Sequence, residues 1–296
     1  NMGLTVPPGW TYRCVSAQNL RNIDGTGWLP INFTLVSSIQ LSSLPVDAIN
    51  TTASGFYYAY AVDAGGYVLT AAMESNQRIV ETARADDGTD PSRVEWGSNL
   101  LLWARAMGLV GYWKFNEGAG STARDSSGNS NNGALTNGPL WTTGKLGGAL
   151  DFDGTNDFVN VGTPITLTNM ASTSVMAWVF PRSAGEAEVG RIVSKDDWRL
   201  AFTTSVRYRF SRDYSFFTVL RISENNAVTF DEWQYLAATW GGTNQTSSIR
   251  LFRNGTEESS YSSAQNGFGS LTDDAPDPLY IGNNASLANT FDGTID

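Results

Sequence analysis

Three groups of residues have the types and spacing for chemistry. Asp125, Ser127, Asn129 and Asn132 bring carboxylate, hydroxyl and amide oxygens close together, and Gly128 and Gly133 let the backbone curl around an ion. Hard oxygens on a compact loop are what calcium requires. Asp86, Asp87 and Asp90, in the run Asp86-Asp87-Gly88-Thr89-Asp90, form a second acidic loop of the same kind. Asp, Asn and Gly also build turns through local backbone bonding, so each set reads as a metal loop or as a solvated turn. The third group is aromatic: Trp198, Tyr208, Phe210, Tyr214 and Phe216 fall on neighbouring expected strands, with Arg and Asp beside them. Exposed, they would stack on sugar rings; buried, they would fill a core, and parity leaves both readings open.

Composition closes other chemistries. The chain has no histidine, which removes the commonest general base and transition-metal ligand, and with them Ser-His-Asp, Cys-His and His-based zinc sites. Cys14 is the single cysteine, so no disulfide forms within these residues, and it reads as a small buried hydrophobe. A net charge of −10, from 19 basic and 29 acidic residues, argues against nucleic acid, because phosphate binding needs clustered Lys and Arg. Cations and neutral sugars remain as small partners.

The elements that must position these groups are strands. With 41% hydrophobic, 12% aromatic and only 16% charged residues, and with 30 glycines, the 296-residue chain has the profile of turn-rich all-β proteins. Residues 1–106 read as one module, with a turn of helix at Val15–Ile23 and strands at Trp28–Leu35, Phe56–Val62 and Tyr67–Glu74. Asp63-Ala64-Gly65-Gly66 joins the last two as a hairpin, and Arg93–Leu102 returns to alternation. Residues 107–296 read as a second module, with strand signals every eight to twelve residues from Gly108 onward. Leu109, Trp113 and Phe115 share one face of the first run; Val175, Ala177 and Val179 alternate with Met176, Trp178 and Phe180, so both faces of that strand are apolar.

The second module resembles the laminin G-like, concanavalin A-like sandwich family. The resemblance rests on GLVGYWKFNEGAG from Gly108, then DSSGNSNNG from Asp125, then GALDFDGTNDFVNVG from Gly148. It continues in Trp233–Trp240 followed by Leu251-Phe252-Arg253-Asn254-Gly255, where Tyr235 or Gln234 replaces the family's histidine, which reads that position as structural. The resemblance implies a two-sheet jelly roll whose last strand opens at Phe291–Asp296 and is cut short. It also implies a structural calcium near the meeting chain ends, held by Asp125, Asn129, Asn132, the Asn156–Asp157 turn and Asp296. The same fold carries glucanases, whose catalytic strand reads E-x-D-x-x-E, and this chain has no such triad; Glu186 and Glu188 lie in a Gly/Ala-flanked loop, Asp196-Asp197 is a turn, and Asp231 and Glu232 are adjacent, so that on a strand they would point oppositely.

The first module resembles the globular part of type IV pilins and type II secretion major pseudopilins. Leu44-Pro45-Val46-Asp47-Ala48-Ile49-Asn50, the strand around Tyr58-Ala59-Tyr60, and Tyr67–Ser75 carry that likeness, with Ala48 standing where the family has a second proline. It implies an apolar helix upstream of Asn1 as membrane contact, self-association into a filament, and calcium at Asp86, Asp87 and Asp90. The expected whole is therefore mainly β: a small pilin-like antiparallel sheet, then a concanavalin A-like sandwich. The expected role is a non-enzymatic extracellular filament or surface subunit that displays an adhesive, glycan-binding domain. The alternatives are a secreted carbohydrate-binding lectin-like protein and a glycoside hydrolase of the same fold.

Overall fold

The computed structural model describes residues 18–24, 26–29, 32–35, 43–44, 58–63, 66–72, 93–98 and 108–296. The chain divides into two compact units, Asn1–Val110 and Gly111–Asp296. Among the described residues every regular element is a strand or a three-residue 3-10 turn, and no helix is long and apolar enough to cross a membrane.

In the first unit, β1 (Tyr58–Asp63), β2 (Gly66–Ala72) and β3 (Arg93–Gly97) form an antiparallel sheet in that order. Asp63 pairs with Gly66, so the Asp-Ala-Gly-Gly run closes the hairpin as its turn residues dictate. Val68 is fully buried and lies opposite both Ala61 and Gly97; a Cβ on Gly97 would come within 2.8 Å of the Val68 Cα, so only glycine fits there. Of the strand expected at Trp28–Leu35, the described residues carry one bridge, Asp24 to Asn32, and a 3-10 turn at Phe33–Leu35. Asn32 Oδ1 accepts from the Thr34 N–H at 3.0 Å, an Asx turn that competes with extension.

The second unit carries sixteen strands, β4 to β19. The first eight are β4 (Thr122–Ala123), β5 (Gly133–Thr136), β6 (Leu140–Thr143), β7 (Gly148–Asp153), β8 (Phe158–Gly162), β9 (Thr173–Pro181), β10 (Arg191–Lys195) and β11 (Trp198–Thr203). The rest are β12 (Arg207–Arg212), β13 (Val219–Ile222), β14 (Gln234–Trp240), β15 (Ile249–Arg253), β16 (Thr256–Glu257), β17 (Ser263–Gln265), β18 (Leu279–Ile281) and β19 (Asp292–Ile295). They build two antiparallel sheets: nine strands in the order β17-β13-β12-β11-β10-β18-β8-β5-β4, and seven in the order β16-β15-β14-β9-β19-β7-β6. The result is the expected β-sandwich.

Period two decides which residues fill it. Leu150, Phe152, Val179, Leu236, Ala238 and Ile295 point inward from the seven-stranded sheet, and Leu200, Phe202, Tyr208 and Phe210 from the nine-stranded one, all fully or almost fully buried. Each large side chain among them stabilises by about 1.5–3 kcal/mol. Phe291 joins the layers, edge-on to Phe152 at 6.3 Å and tilted against Phe202 at 5.5 Å. The strand expected to be cut at the chain end is present as β19, which fills the middle of its sheet between β7 and β9. Two expected runs shorten. Phe115 takes φ 50°, so Leu109–Phe115 keeps only the bridge Trp113 to Asp125. Phe216 and Phe217 stay outside β13, on exposed bridging loops.

Candidate functional site

The outward face of β9 and β14 bears an open aromatic cleft. Trp178 on β9 sits directly across from Tyr235 on β14, with ring centroids 5.3 Å apart and tilted by 51°. One step along, Phe180 meets Trp233 at 5.6 Å. Trp178, Trp233, Tyr235, Lys145 and Asn254 line an open cleft of about 490 Å³, and the Lys145 ammonium lies 5.5 Å from the Trp178 ring centroid. Flat rings beside a few polar groups suit a ligand with one apolar face and a hydroxylated edge.

Local sequence explains the cleft. Met176, Trp178 and Phe180 must face outward because Val175, Ala177 and Val179 occupy the inward positions. Asn254 and Gly255 turn β15 into β16 with φ of 52° and 82°, the left-handed pair that Asn-Gly adopts at least cost. That turn holds Asn254 against Tyr235: its Oδ1 accepts the Tyr235 N–H at 2.9 Å and its N–H donates to the Tyr235 carbonyl at 2.8 Å. On the other side, Asp296 pairs with Trp178 through both backbone bonds, while its carboxylate accepts the Leu146 N–H at 2.7 Å. Asp296 thereby fixes the loop that brings Lys145 over Trp178. Burial raises the Asp296 carboxyl above its ordinary range, and the Leu146 and Lys145 N–H groups pull it back. Burial also raises the Tyr235 phenol, with Tyr112 nearby adding to the effect.

Of the residues expected to hold calcium, Asp125, Asn129 and Asn132 share one loop, while Asp157 and Asp296 are bonded elsewhere. Asp125 Oδ1 accepts from the N–H groups of Tyr112 (3.0 Å) and Ser127 (2.8 Å); Oδ2 accepts from the Ser127 hydroxyl (2.8 Å) and the Asn131 N–H (2.9 Å). Asn132 Oδ1 accepts the Asp125 N–H at 2.9 Å, and Asn129 donates to the Ser127 oxygen. The carboxylate's acceptor positions are thus committed to protons, and this donor set does not fit a cation. Asp157 is buried under the β7–β8 turn, where its Oδ2 accepts the Asp153 N–H at 3.1 Å. Burial lifts its carboxyl, and Asp153 and Asp151 add to the rise. Among the described residues no three acidic or thiol side chains group as a metal centre. Asp86, Asp87 and Asp90 lie outside the described residues.

The expected sugar-binding aromatics need correction. Trp198 and Tyr208 face the core, at 4% and 0% exposure, and offer no ring to a ligand. Trp198 stacks on Phe210 at 6.3 Å; the Tyr208 hydroxyl donates to Glu258 Oε1 at 2.9 Å, and burial raises its phenol. Parity with Leu200 and Phe202 is what turns them inward. Tyr214 is half-buried at a bridge to Leu271, apart from the cleft lining, while Phe216 is 70% exposed against Phe268. The aromatic rings that do line an open cleft are those of Trp178, Trp233 and Tyr235. Of these, Trp178 had a signal in the sequence, since β9 is apolar on both faces.

The carboxylates weighed for hydrolysis are dispersed. Glu186 lies on a 3-10 turn, where its Oε2 accepts from the Thr290 N–H and hydroxyl, both at 3.2 Å. Asp231 and Glu232 are exposed at the entry to β14.

Residues 153–296 match the family described as the concanavalin A-like lectin/glucanases superfamily, and the laminin G-like likeness of that segment stands. No curated protein sequence matches the chain. Among solved structures, the binding domain of Paraclostridial Mosquitocidal Protein 1 is similar at 13% identity and a TM-score of 0.44, over 60% of this chain and 46% of that one. Domains LG4-5 of the mouse laminin alpha1 chain give 13% identity and 0.36, over 50% and 39%. The carbohydrate binding module CBM66 from Bacillus subtilis gives 9% and 0.28, over 55% and 89%. This chain thus spans less than half the length of the first two structures it resembles.

Proposed function

We propose that this protein is a non-catalytic, extracellular glycan-binding protein of lectin type, and that it holds neutral sugar rings on the aromatic cleft of the seven-stranded sheet. The observation that carries the reading is the register pair Trp178–Tyr235, flanked by Trp233 and bordered by Lys145 and Asn254. A pyranose presents an apolar face to such rings, while its hydroxyls reach the lysine ammonium and the asparagine amide. The family match over residues 153–296 supports the same class of function.

The test is calorimetric titration of neutral oligosaccharides against wild type and Trp178→Ala. Truncating a central aromatic anchor typically costs more than 1 kcal/mol, so affinity should drop by about tenfold or more. Met176→Ala, on the same strand face but outside the cleft lining, should bind as wild type. Undiminished binding by Trp178→Ala, or no binding to any neutral oligosaccharide, overturns the reading. Turnover of a β-glucan panel that vanishes in Glu186→Gln would replace it with hydrolysis.

A second role, subunit of a pilus-like filament, draws support from the first unit alone. The Tyr58 and Tyr67 segments pair there as adjacent antiparallel strands. Electron microscopy of the native particle tests it: filaments support this role, and isolated single copies remove it.

A further inference from the structure

The outer face of the nine-stranded sheet carries a different chemistry. Arg191 on β10, Ala201 on β11 and Arg209 on β12 stand in one cross-strand row, and Arg199 pairs with Ser211 in the next row on the same face. β10 and β12 are two strand spacings apart, about 10 Å, and the side chain between them is only a methyl group. Long guanidinium stems can therefore lean over Ala201 from both sides. The floor is closed, because Ala201 and Ser211 are fully buried.

The charges on this floor do not balance. Three guanidiniums share one carboxylate: Asp213 accepts from Arg199 Nη2 at 3.1 and 3.3 Å, and its Oδ1 also takes the Thr218 hydroxyl at 2.7 Å. Arg199 Nε is used by Ser211 Oγ at 2.8 Å. Arg191 is only 7% exposed, yet its Nε and Nη1 have no partner; its single side-chain bond is Nη2 to Asn289 Oδ1 at 3.3 Å. Arg209 Nε is likewise buried and unpaired. Buried donors are nearly always satisfied, and an unpaired buried charged donor is costly. Burial and the neighbouring Arg199 and Arg209 push the Arg191 guanidinium down to about 9, against a modest pull from Asp213. Burial and Arg199 lower Arg209 as well. In a chain of net charge −10, this concentration of cation is local.

We infer that Arg191, Arg199 and Arg209 form a binding site for an oxyanion of the carboxylate or sulfate type, seated over Ala201. Guanidinium forks bind such groups through paired N–H···O bonds, and a seated oxyanion would meet the orphan N–H groups of Arg191 and Arg209. The site lies on the opposite sheet from the aromatic cleft and stands whether or not that cleft binds sugar.

The test titrates sodium sulfate and sodium glucuronate, at constant ionic strength set with chloride, with glucose as the neutral control. The readouts are calorimetry and the arginine Nε–Hε resonances in nitrogen-15 NMR. We expect both anions to bind in preference to chloride and to shift the Arg191 and Arg209 resonances, and glucose to leave them in place. Arg209→Gln, at a half-buried position that folds more readily than a core variant, should weaken binding by about tenfold or more. Asp213→Asn removes the internal competitor and should tighten it, while Trp178→Ala should leave it unchanged. Binding of glucuronate alone narrows the site to carboxylates, and of sulfate alone to sulfates. Neither anion binding better than chloride, or Arg209→Gln binding as wild type, overturns the proposal.

Discussion

The two faces of the nine-stranded sheet hold charge in opposite ways. On the inner face, Lys195 and Arg212 are as deeply buried as any side chain in the molecule, and both close on Asp274, Lys195 Nζ at 3.1 Å and Arg212 Nη1 at 2.5 Å. The Leu167 and Thr272 carbonyls take further N–H groups, the Asn169 N–H donates to Asp274, and the Arg212 guanidinium lies 5.7 Å from the Trp240 ring centroid. Only Arg212 Nε is left over. On the outer face, three arginines have one carboxylate, and Arg191 and Arg209, which pair with Ala201 from either side, keep left-over donors. The inner set has a carboxylate bonded to both of its cations and leaves one donor over, and it reads as structural. The outer set is incomplete, and incompleteness in a buried charge cluster is what a ligand resolves.

The most severe way to break this contrast is to remove the inner anion. Asp274→Ala strands two buried cations and should destabilise the sandwich by about 3–5 kcal/mol, seen as a lowered denaturation midpoint at unchanged slope. Burial raises the Asp274 carboxyl, but Asn169, Arg212 and Lys195 outweigh it and hold the group below its ordinary value. A depressed carboxyl adds stability that is whole above about pH 4 and lost as pH falls through the folded value. Acid unfolding that begins no earlier in Asp274→Ala than in wild type would contradict this account.

The outer cluster should respond with the opposite sign. Arg191→Met keeps the apolar stem and deletes an uncompensated buried charge, so in the absence of added anion it should stabilise by about 1 kcal/mol at pH 7. Above about pH 9 the unfolded chain holds the Arg191 proton more firmly than the folded one, so wild-type stability gains with rising pH there. The advantage of Arg191→Met should therefore shrink above about pH 9. Taking the difference between variant and wild type cancels the tyrosines that titrate in the same range, and Arg199, Arg209 and Asp213 are present in both. A variant less stable than wild type at pH 7, or a difference flat with pH, would show that Arg191 is compensated.

Much of this organisation was legible before any coordinates. The Asp153-Gly154-Thr155-Asn156-Asp157 run carries hairpin-type turn residues and does make a turn whose side chains bond their own backbone, but it crosses from β7 in the seven-stranded sheet to β8 in the nine-stranded one, so the two strands it joins do not pair as a hairpin. The alternation through β9 specified a strand apolar on both sides, which is the floor of the aromatic cleft. What stayed hidden depends on register between distant strands. Trp198 and Trp178 look alike as aromatic strand residues, and only the partner face sends one inward and the other out. Arg191, Arg199 and Arg209 converge across three strands, with a bulge between Arg191 and Val193 shifting the first of them into the row. Asp296 reaches Leu146 across 150 residues, a pairing no local pattern announces. Asp125 shows a subtler limit, for its residue type fits calcium while the protons around it do not.

That last point yields the smallest expected effect and the sharpest use of the contrast, since it asks the same question of an anion that the arginines pose of cations. A carboxylate has roughly four acceptor positions, and at Asp125 two backbone N–H groups occupy Oδ1 while a hydroxyl and a third N–H occupy Oδ2. Calcium needs six to eight oxygens, so seating it here would strip the loop of bonds that hold Tyr112, Ser127 and Asn131 in place. An ion at a hundred times its Kd would add about 2.7 kcal/mol, several degrees in melting temperature for a domain of this size. The expectation is instead a shift within about 1 °C on adding millimolar calcium or on stripping metal with a chelator, read by scanning calorimetry. A rise of several degrees with calcium would mean that Asp125 trades its proton donors for a cation, and that satisfied hydrogen bonding does not mark a structural carboxylate in this fold.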